Sequence, residues 1–324
     1  MADKDKYLDF ERPILELEER IAALRASAHE GGVESLMGEI QDVEQKLDAA
    51  QRELAARLSP WQRAQLARHP MRPGAWDLTT RIFENIFSFH GDRLFAEDSA
   101  IRASLAHFRG REILLMAQLK GHDAHERVKH NFGMAHPEGY RKAMRMTAFA
   151  ERFSRPVVTF IDTPGAFPGI GAEERGQAWA IAESIERFIN LRVPTIAVVV
   201  GEGGSGGALA LGVSDRVLMM ENAIYSVISP EGCASILFRD AARAPEAAAA
   251  MRVTARDAAG FGVIDGIVEE PPGGAHRDWD DAAHRLGDAL DAALAELSRE
   301  PIEALLEKRH AKFRAMGVFL EAEA

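Results

Sequence analysis

The chain has 324 residues, of which 47% are hydrophobic and 27% charged, enough apolar content for a substantial core in one large domain or two smaller ones. A formal net charge of −11 excludes a general nucleic-acid binder, which needs a basic surface, but leaves room for a local basic pocket. The single cysteine, Cys233, excludes an internal disulfide and a structural zinc site built on cysteines.

In chain order, the opening MADKDKYLDF is charged and lacks the apolar stretch of a secretory signal. No later run approaches the roughly 18 apolar residues of a membrane helix, so a cytoplasmic protein is expected. Residues 10–58 read as helix. Ile14, Leu17, Ile21 and Leu24, then Ile40, Val43, Leu47, Leu54 and Leu58, recur at helical steps, with Gly31-Gly32 between the halves. Residues 1–58 hold fourteen acids against eight bases, over half the excess charge of the chain. Two acidic amphipathic helices with no core behind them form either an arm that packs on a partner or on the main body, or a hairpin folded back on its own chain. Ser59-Pro60 and His69–Gly74 punctuate the join to a core placed at residues 59–270.

From about residue 94, short β-type runs alternate with helical segments. Strands are predicted at Glu112–Leu119, Val157–Ile161, Thr195–Val200, Arg216–Met220 and Ile224–Ile228, and helices at Pro137–Phe153 and Glu174–Ile189. This is an α/β pattern. A weak repeat runs through it. Pro156 and Pro194, 38 residues apart, each open a strand, a Gly-rich loop and a helix, which suits a spiral of strand–helix units. The segment 271–324 returns to helix over Asp281–Phe319, restarted at Pro301.

The stretch Thr195–Leu211, TIAVVVGEGGSGGALAL, runs from a β-branched strand through five glycines into an Ala/Leu helix pattern. Bare main chain at a helix N-terminus offers N–H groups to an anion. Three signatures fit these letters. Gly201-Glu-Gly203-Gly-Ser-Gly206 is a dinucleotide fingerprint with Glu221 twenty residues on, but roughly sixteen residues between Val200 and Val217 make a cramped crossover. Gly203-Gly-Ser205-Gly-Gly207 is the nucleophile elbow of a serine hydrolase, but its base would have to be His276, His284 or His310. The third reading is an oxyanion hole with no protein nucleophile, suited to enolate or carboxyl-transfer chemistry.

KHNFGMAHPEGYRKAMRM (Lys129–Met146), TFIDTPGAFPGIGAEERGQ (Thr159–Gln177) and VVGEGGSGGALALGVSDRV continuing to YSVISPEGCASIL (Val199–Leu237) together resemble the α-subunit family of bacterial acetyl-CoA carboxylase carboxyltransferase. LDFERPILELEERI, WQRAQLARHPMRP and GGAHRD at Gly273–Asp278 are similar to it as well, so the resemblance spans nearly the whole chain. It implies an α/β fold of the ClpP/crotonase type, a spiral of ββα units, carrying an N-terminal helical arm and C-terminal helices. The implied reaction moves the carboxyl group of carboxybiotin, borne on biotin carboxyl carrier protein, to acetyl-CoA, giving malonyl-CoA for fatty acid synthesis. The implied partners are a zinc-finger-bearing carboxyltransferase β subunit, the carrier protein and biotin carboxylase, in an α2β2 assembly. The coenzyme A thioester would be shared with the β subunit. No metal, membrane or nucleic acid is expected of this chain.

Carried onto this sequence, the family places the amides of Gly206 and Gly207 against the ureido oxygen as carbon dioxide leaves carboxybiotin. The freed biotin nitrogen then acts as base, so no side-chain base is needed. Gly203, Gly204 and Ser205 belong to the same site. Gly165, Ala166, Phe167 and Gly169 form a pocket wall or a plain Gly/Pro turn. Glu231 and Gly232 are site elements or simply a helix start. Lys120 and Arg141 stand in a segment, Lys120–Arg145, with six Lys+Arg against three acids, which suits a carboxylate or phosphates, or else is a solvated helix face. Cys233 reads as a packed residue, and His122, His125, His130 and His136 match no zinc spacing. Ala143-Met-Arg-Met146 is like a biotinylation sequence with Arg in place of the acceptor Lys, and no P-loop is present, so biotin attachment and ATP use fall to other chains.

Overall fold

The computed structural model describes residues 7–30 and 33–317. Helices α1 (Arg12–Glu30) and α2 (Val33–Arg57) form the predicted N-terminal pair, and the Gly31-Gly32 break lies outside the described residues. The two pack together, with Arg20 on Glu39 at 2.8 Å and Arg25 on Glu44 at 2.7 Å. They also dock on the body, where Glu11 and Glu18 meet Arg277. Helix α3 (Pro60–Ala67) starts at a capping box: Ser59 Oγ accepts the Gln62 N–H, Gln62 reaches back to the Ser59 N–H, and Pro60 needs no donor. Helix α4 (Ala75–Ile82) follows.

Three antiparallel strands come next, β1 (Glu84–Phe89), β2 (Ile101–Phe108) and β3 (Arg111–Gln118). The β2–β3 hairpin turns at Arg109-Gly110, both with positive φ (46° and 80°), the geometry that matches strand twist. The remaining strands are parallel. After α5 (Ala124–Lys129) and α6 (Pro137–Arg152) comes β4 (Val157–Thr163), then α7 (Ile170–Glu174), α8 (Gln177–Ile189) and β5 (Thr195–Gly204). Helix α9 (Ser205–Gly212), β6 (Arg216–Met220) and β7 (Ile224–Ser226) lead to α10 (Pro230–Phe238), α11 (Ala244–Met251) and α12 (Ala255–Gly260). Strand β8 (Gly266–Val268) and helices α13 (Trp279–Leu297) and α14 (Ile302–Arg314) complete the described chain.

The sheet order is β1-β2-β3-β4-β5-β6-β8, with β7 paired to β5. Every residue of β4 and β5 is buried, as expected of central parallel strands covered on both faces. The sequence repeat is the register of this pair: Val157 faces Thr195 and Ile161 faces Val199, a constant offset of 38. It then slips, and Thr163 faces Gly203. The C-terminal helices close the same core, α13 through Leu286, Leu290 and Leu294. On α14, Arg309 reaches in to Asp215 at 2.7 and 2.8 Å and to the carbonyls of Phe188, Leu191 and Val193. Among the described residues no helix is long and apolar enough to cross a membrane.

Candidate active site at the ends of β4 and β5

Strand β5 runs four residues past its apolar stretch. Gly201–Gly204 stay extended because β7 pairs with them, Glu202 opposite Ile224, Gly203 opposite Tyr225 and Gly204 opposite Ser226. Packing demands the glycines. A Cβ at Gly203 would lie 2.7 Å from the Tyr225 ring, and one at Gly204 would lie 2.2 Å from the Pro164 carbonyl oxygen. Burial pushes the Tyr225 hydroxyl up to about 12.

Only then does the helix begin, at the exposed Ser205 with φ of 49°. Gly204 precedes it and no side chain caps the first turn of α9. The leading N–H groups, those of Gly206 and Gly207 among them, are therefore left for a ligand or water. Gly206 is half-buried at this mouth. Gly207 packs against the neighbouring repeat, where a Cβ would sit 2.6 Å from the Gly165 carbonyl carbon and 2.8 Å from the Ala166 nitrogen.

The facing loop is held by specific bonds. Thr163 Oγ1 accepts the Gly165 N–H at 3.1 Å and donates to the Gly165 carbonyl at 2.7 Å. The Phe167 N–H donates to the Ala135 carbonyl, and Gln177 Nε2 donates to the carbonyls of both Ala135 and Phe167. The Phe167 ring stacks on His136 at 4.1 Å, and a Cβ at Gly169 would strike that ring at 2.4 Å.

Where the register slips, charges converge. Lys120 Nζ lies 2.7 Å from Asp162 and 2.6 Å from Glu202. Arg68 takes the other Glu202 oxygen at 2.5 Å and reaches Glu231 at 2.6 Å. Burial alone would raise the Glu202 carboxyl, but Lys120 and Arg68 more than reverse this and hold it below its ordinary value. Burial likewise works against the Lys120 ammonium, yet Asp162 and Glu202 raise it overall. Gln118 ties the cluster to the helix, accepting the Asp162 N–H and donating to the Gly207 carbonyl at 2.8 Å.

A cleft of about 520 Å³ opens beside this cluster, lined by Arg68, Lys120, Asp162, Pro164 and Glu202 at its inner end. Arg102, Arg127 and Lys129 also line it. Arg102 lies over the Trp76 ring at 4.0 Å. Those three bases have no carboxylate partner among the described residues, which leaves a positive surface in an acidic protein.

The structure thus brings together Gly203, Gly204, Ser205, Gly206 and Gly207 with Gly165, Ala166, Phe167 and Gly169, and sets Lys120 beside them. Glu231 joins through Arg68. Gly232 spends its N–H on Ser229 Oγ as part of a helix cap. Arg141 lies apart, donating to the Arg175 carbonyl at 2.5 Å and 3.8 Å from Glu138. The four histidines diverge, with His122 on Asp77, His130 on the Ser99 carbonyl and His136 on Asp98. Sequence reasoning missed Arg68, Asp162 and Glu202, although Glu202 stands in plain view inside the glycine run.

The two short signatures lose their context here. The first two glycines of the dinucleotide pattern, Gly201 and Gly203, are residues of strand β5, extended along its ladder with β7 and not a phosphate turn, and only the third, Gly206, lies in α9. The three downstream histidines are engaged far from Ser205: His276 with Glu11, His284 with Asp288 and His310 with Asn190.

A family model described as acetyl co-enzyme A carboxylase carboxyltransferase-like matches residues 7–317. The chain belongs to this carboxyltransferase family. The acetyl-coenzyme A carboxylase carboxyl transferase subunit alpha of Thermus thermophilus is 52% identical over 314 residues, covering 97% of this chain and 99% of that one. The protein of the same name from Methylobacterium nodulans is 52% identical over 311 residues, 96% of this chain and 98% of that one. Among solved structures, transcarboxylase 12S superimposes with a TM-score of 0.58 at 19% identity, over 71% of this chain and 42% of that chain. A Pseudomonas malonate decarboxylase hetero-tetramer gives 0.55 at 20% identity, over 67% and 89%. The fold is crotonase-like, as the resemblance implied, and the chain is an α-type subunit of a carboxyltransferase.

Proposed function

We propose that this chain forms the biotin-side half of an acetyl-CoA carboxylase carboxyltransferase, moving a carboxyl group from carboxybiotin on a carrier protein to acetyl-CoA. The product is malonyl-CoA, which commits acetyl units to fatty acid synthesis in the cytoplasm. The observation that carries this reading is the uncapped first turn of α9, docked on the Gly165–Ala166 loop and tied through Gln118 to the Lys120–Asp162–Glu202 cluster that lines a basic cleft. The Gly206 and Gly207 amides bind the oxygen on which charge develops as the carboxyl group leaves. Phe167 and Gly169 shape the wall opposite, and Gly203 and Gly204 keep the strand close enough to present Ser205 and the helix. Lys120 has three donors, two of them occupied by Asp162 and Glu202, so the third serves an anionic substrate group. Arg68, through Glu231, fixes α10 against the same cluster. Arg141, bound to the Arg175 carbonyl, supports the loop end rather than the anion. A zinc-finger β subunit supplies most of the thioester contacts in an α2β2 assembly, and biotin carboxylase recharges the carrier.

The test is reconstitution with the β subunit. The pair should form malonyl-CoA from acetyl-CoA and carboxybiotin, while this chain alone transfers nothing. Gly206→Val should cost about 10²–10³ in kcat by blocking an oxyanion donor while the subunits still co-elute. Undiminished transfer by that variant, or fluorophosphonate labelling of Ser205, would sink the reading.

A further inference from the structure

A second buried cluster lies behind the cleft wall, where the N-terminal arm meets the body. Glu11, in the turn before α1, sets Oε1 2.9 Å from His276 Nε2 and 3.0 Å from the Arg277 guanidinium. Its Oε2 accepts the Leu8 N–H at 2.9 Å and lies 3.5 Å from His69 Nε2. The Glu11 and His69 side chains are 2% and 1% exposed, and the two imidazole rings are 4.0 Å apart. Burial of this depth, in residues from three distant parts of the chain, is not a surface accident.

Ligand atoms of Glu11, His69 and His276 all lie within 4.8 Å of one another, close enough for a metal. The donor chemistry points elsewhere. His69 Nδ1 accepts the Met71 N–H at 3.1 Å, so the ring proton sits on Nε2 and faces Glu11. A metal-bound histidine carries its proton on the opposite nitrogen and donates it outward. Arg277 already supplies the balancing positive charge.

His69 is also part of the cleft. It follows Arg68 in the chain and lines the cavity with Pro70 and Arg72. The same wall hangs from the body by Arg72 on the Val200 carbonyl and by Trp279 Nε1 on the Met71 carbonyl. We propose that Glu11 is a positioning residue, which sets the Arg68–Asp77 wall of the substrate cleft from the arm by acting through His69. The inference rests on the proposed reading of that cleft as the anion-binding part of the carboxyltransferase site.

The groups facing one another here are Glu11, Glu18 and Tyr7 from the arm, and His69, His276, Arg277 and Glu270 from the body. Burial is the chief cause that holds His276 below its ordinary value, with His69 and Arg277 adding to it against Glu11. The seated arm therefore keeps His276 neutral, and a released arm lets it take a proton. Seating is complete above the ordinary imidazole value of about 6.5 and weakens as pH falls below it. Burial alone would raise Glu11, but the His276 bond, with the His69 imidazole 3.5 Å away and the Leu8 N–H, holds it far below the carboxylate range, so it stays charged throughout this window.

The experiment uses the full chain with Glu11→Gln and Glu11→Asp. In the assembled enzyme, Glu11→Gln should raise KM for the substrates about fivefold or more with little change in kcat, and Glu11→Asp should recover part of the loss. The wild-type KM should rise as pH falls below about 6.5, and the rise should be steeper in Glu11→Gln, which lacks the one group that raises His276. In the chain alone, amide exchange at Met71 and along residues 67–77 should quicken in Glu11→Gln, a readout independent of turnover. Unchanged exchange overturns the inference, as does quickened exchange with an unchanged KM. One zinc ion per purified chain, lost in Glu11→Gln, overturns it too. Failure of the assembled wild type to transfer carboxyl groups would instead sink the functional reading and leave the exchange result to judge the arm.

Discussion

Gly206 and Gly207 are adjacent and differ in what they tolerate. A methyl at Gly207 would press on the Gly165 carbonyl carbon at 2.6 Å, in a loop already fixed by Thr163 and Gln177. At Gly206 it would meet only Ile181, at 3.4 and 3.5 Å. Gly207→Ala should therefore lose about 1–3 kcal/mol through overpacking, and Gly206→Ala should leave the urea midpoint nearly unchanged. Lys120→Met leaves Asp162 without its cation beside Glu202, which keeps only Arg68, and should cost about 3 kcal/mol at neutral pH. Because Lys120 helps depress the Glu202 carboxyl, the stability it supplies is present above the ordinary carboxylate range and fades as pH falls through the folded value. The gap between the denaturation midpoints of wild type and variant should thus be full at neutral pH and shrink progressively as pH is lowered below about 4.3. The glycines and Lys120 were legible because missing side chains and local basic runs are visible in a linear text. Arg68, Asp162 and Glu202 were not, since Glu202 finds its partners 82 and 134 positions away and nothing local marks an acid that will be paired.

At the level of elements, the central strands were the readable part. Buried parallel strands write themselves as unbroken apolar runs, and the repeat from Pro156 to Pro194 turned out to be the β4–β5 register. Strands β1 and β2 escaped notice for a physical reason. β1 is an edge strand with exposed and half-exposed residues, and β2 carries Arg102, Ser104 and His107 among small alanines, so neither shows a strong apolar alternation. The predicted end of β5 fell short because glycine has low strand propensity, and only the later pairing with β7 keeps those residues extended. Helix α14 rests on one side chain more than its apolar face suggests. Arg309→Met removes the partner of the buried Asp215 and should cost about 3–5 kcal/mol, read as a lowered urea midpoint with α14 amides exchanging first.

For the whole molecule, burial is concentrated in the sheet and the helices that cover it, while the arm contributes few core residues, Ile14, Leu15, Ile21 and Val43 among them. Native-state hydrogen exchange should therefore find α1 and α2 opening at lower free energy than β3–β5, without loss of the sheet. Equal protection across arm and sheet would contradict this. The sequence left the arm as either a docked element or a self-closed hairpin, and the structure has features of both. That choice was hidden because docking depends on Glu11 meeting His276 and Arg277, from the opposite end of the chain.

The glycines of β5 and α9 also bear on how this protein can change over generations. Glycine has no smaller alternative, so every missense change at Gly203, Gly204 or Gly207 adds atoms where a Cβ would already overlap a neighbour. The glycine turn behind the cleft has no gradual path of variation open to it. New specificity would have to enter by way of the replaceable side chains of the adjoining cleft, Arg102, Arg127 and Lys129, which carry no such constraint.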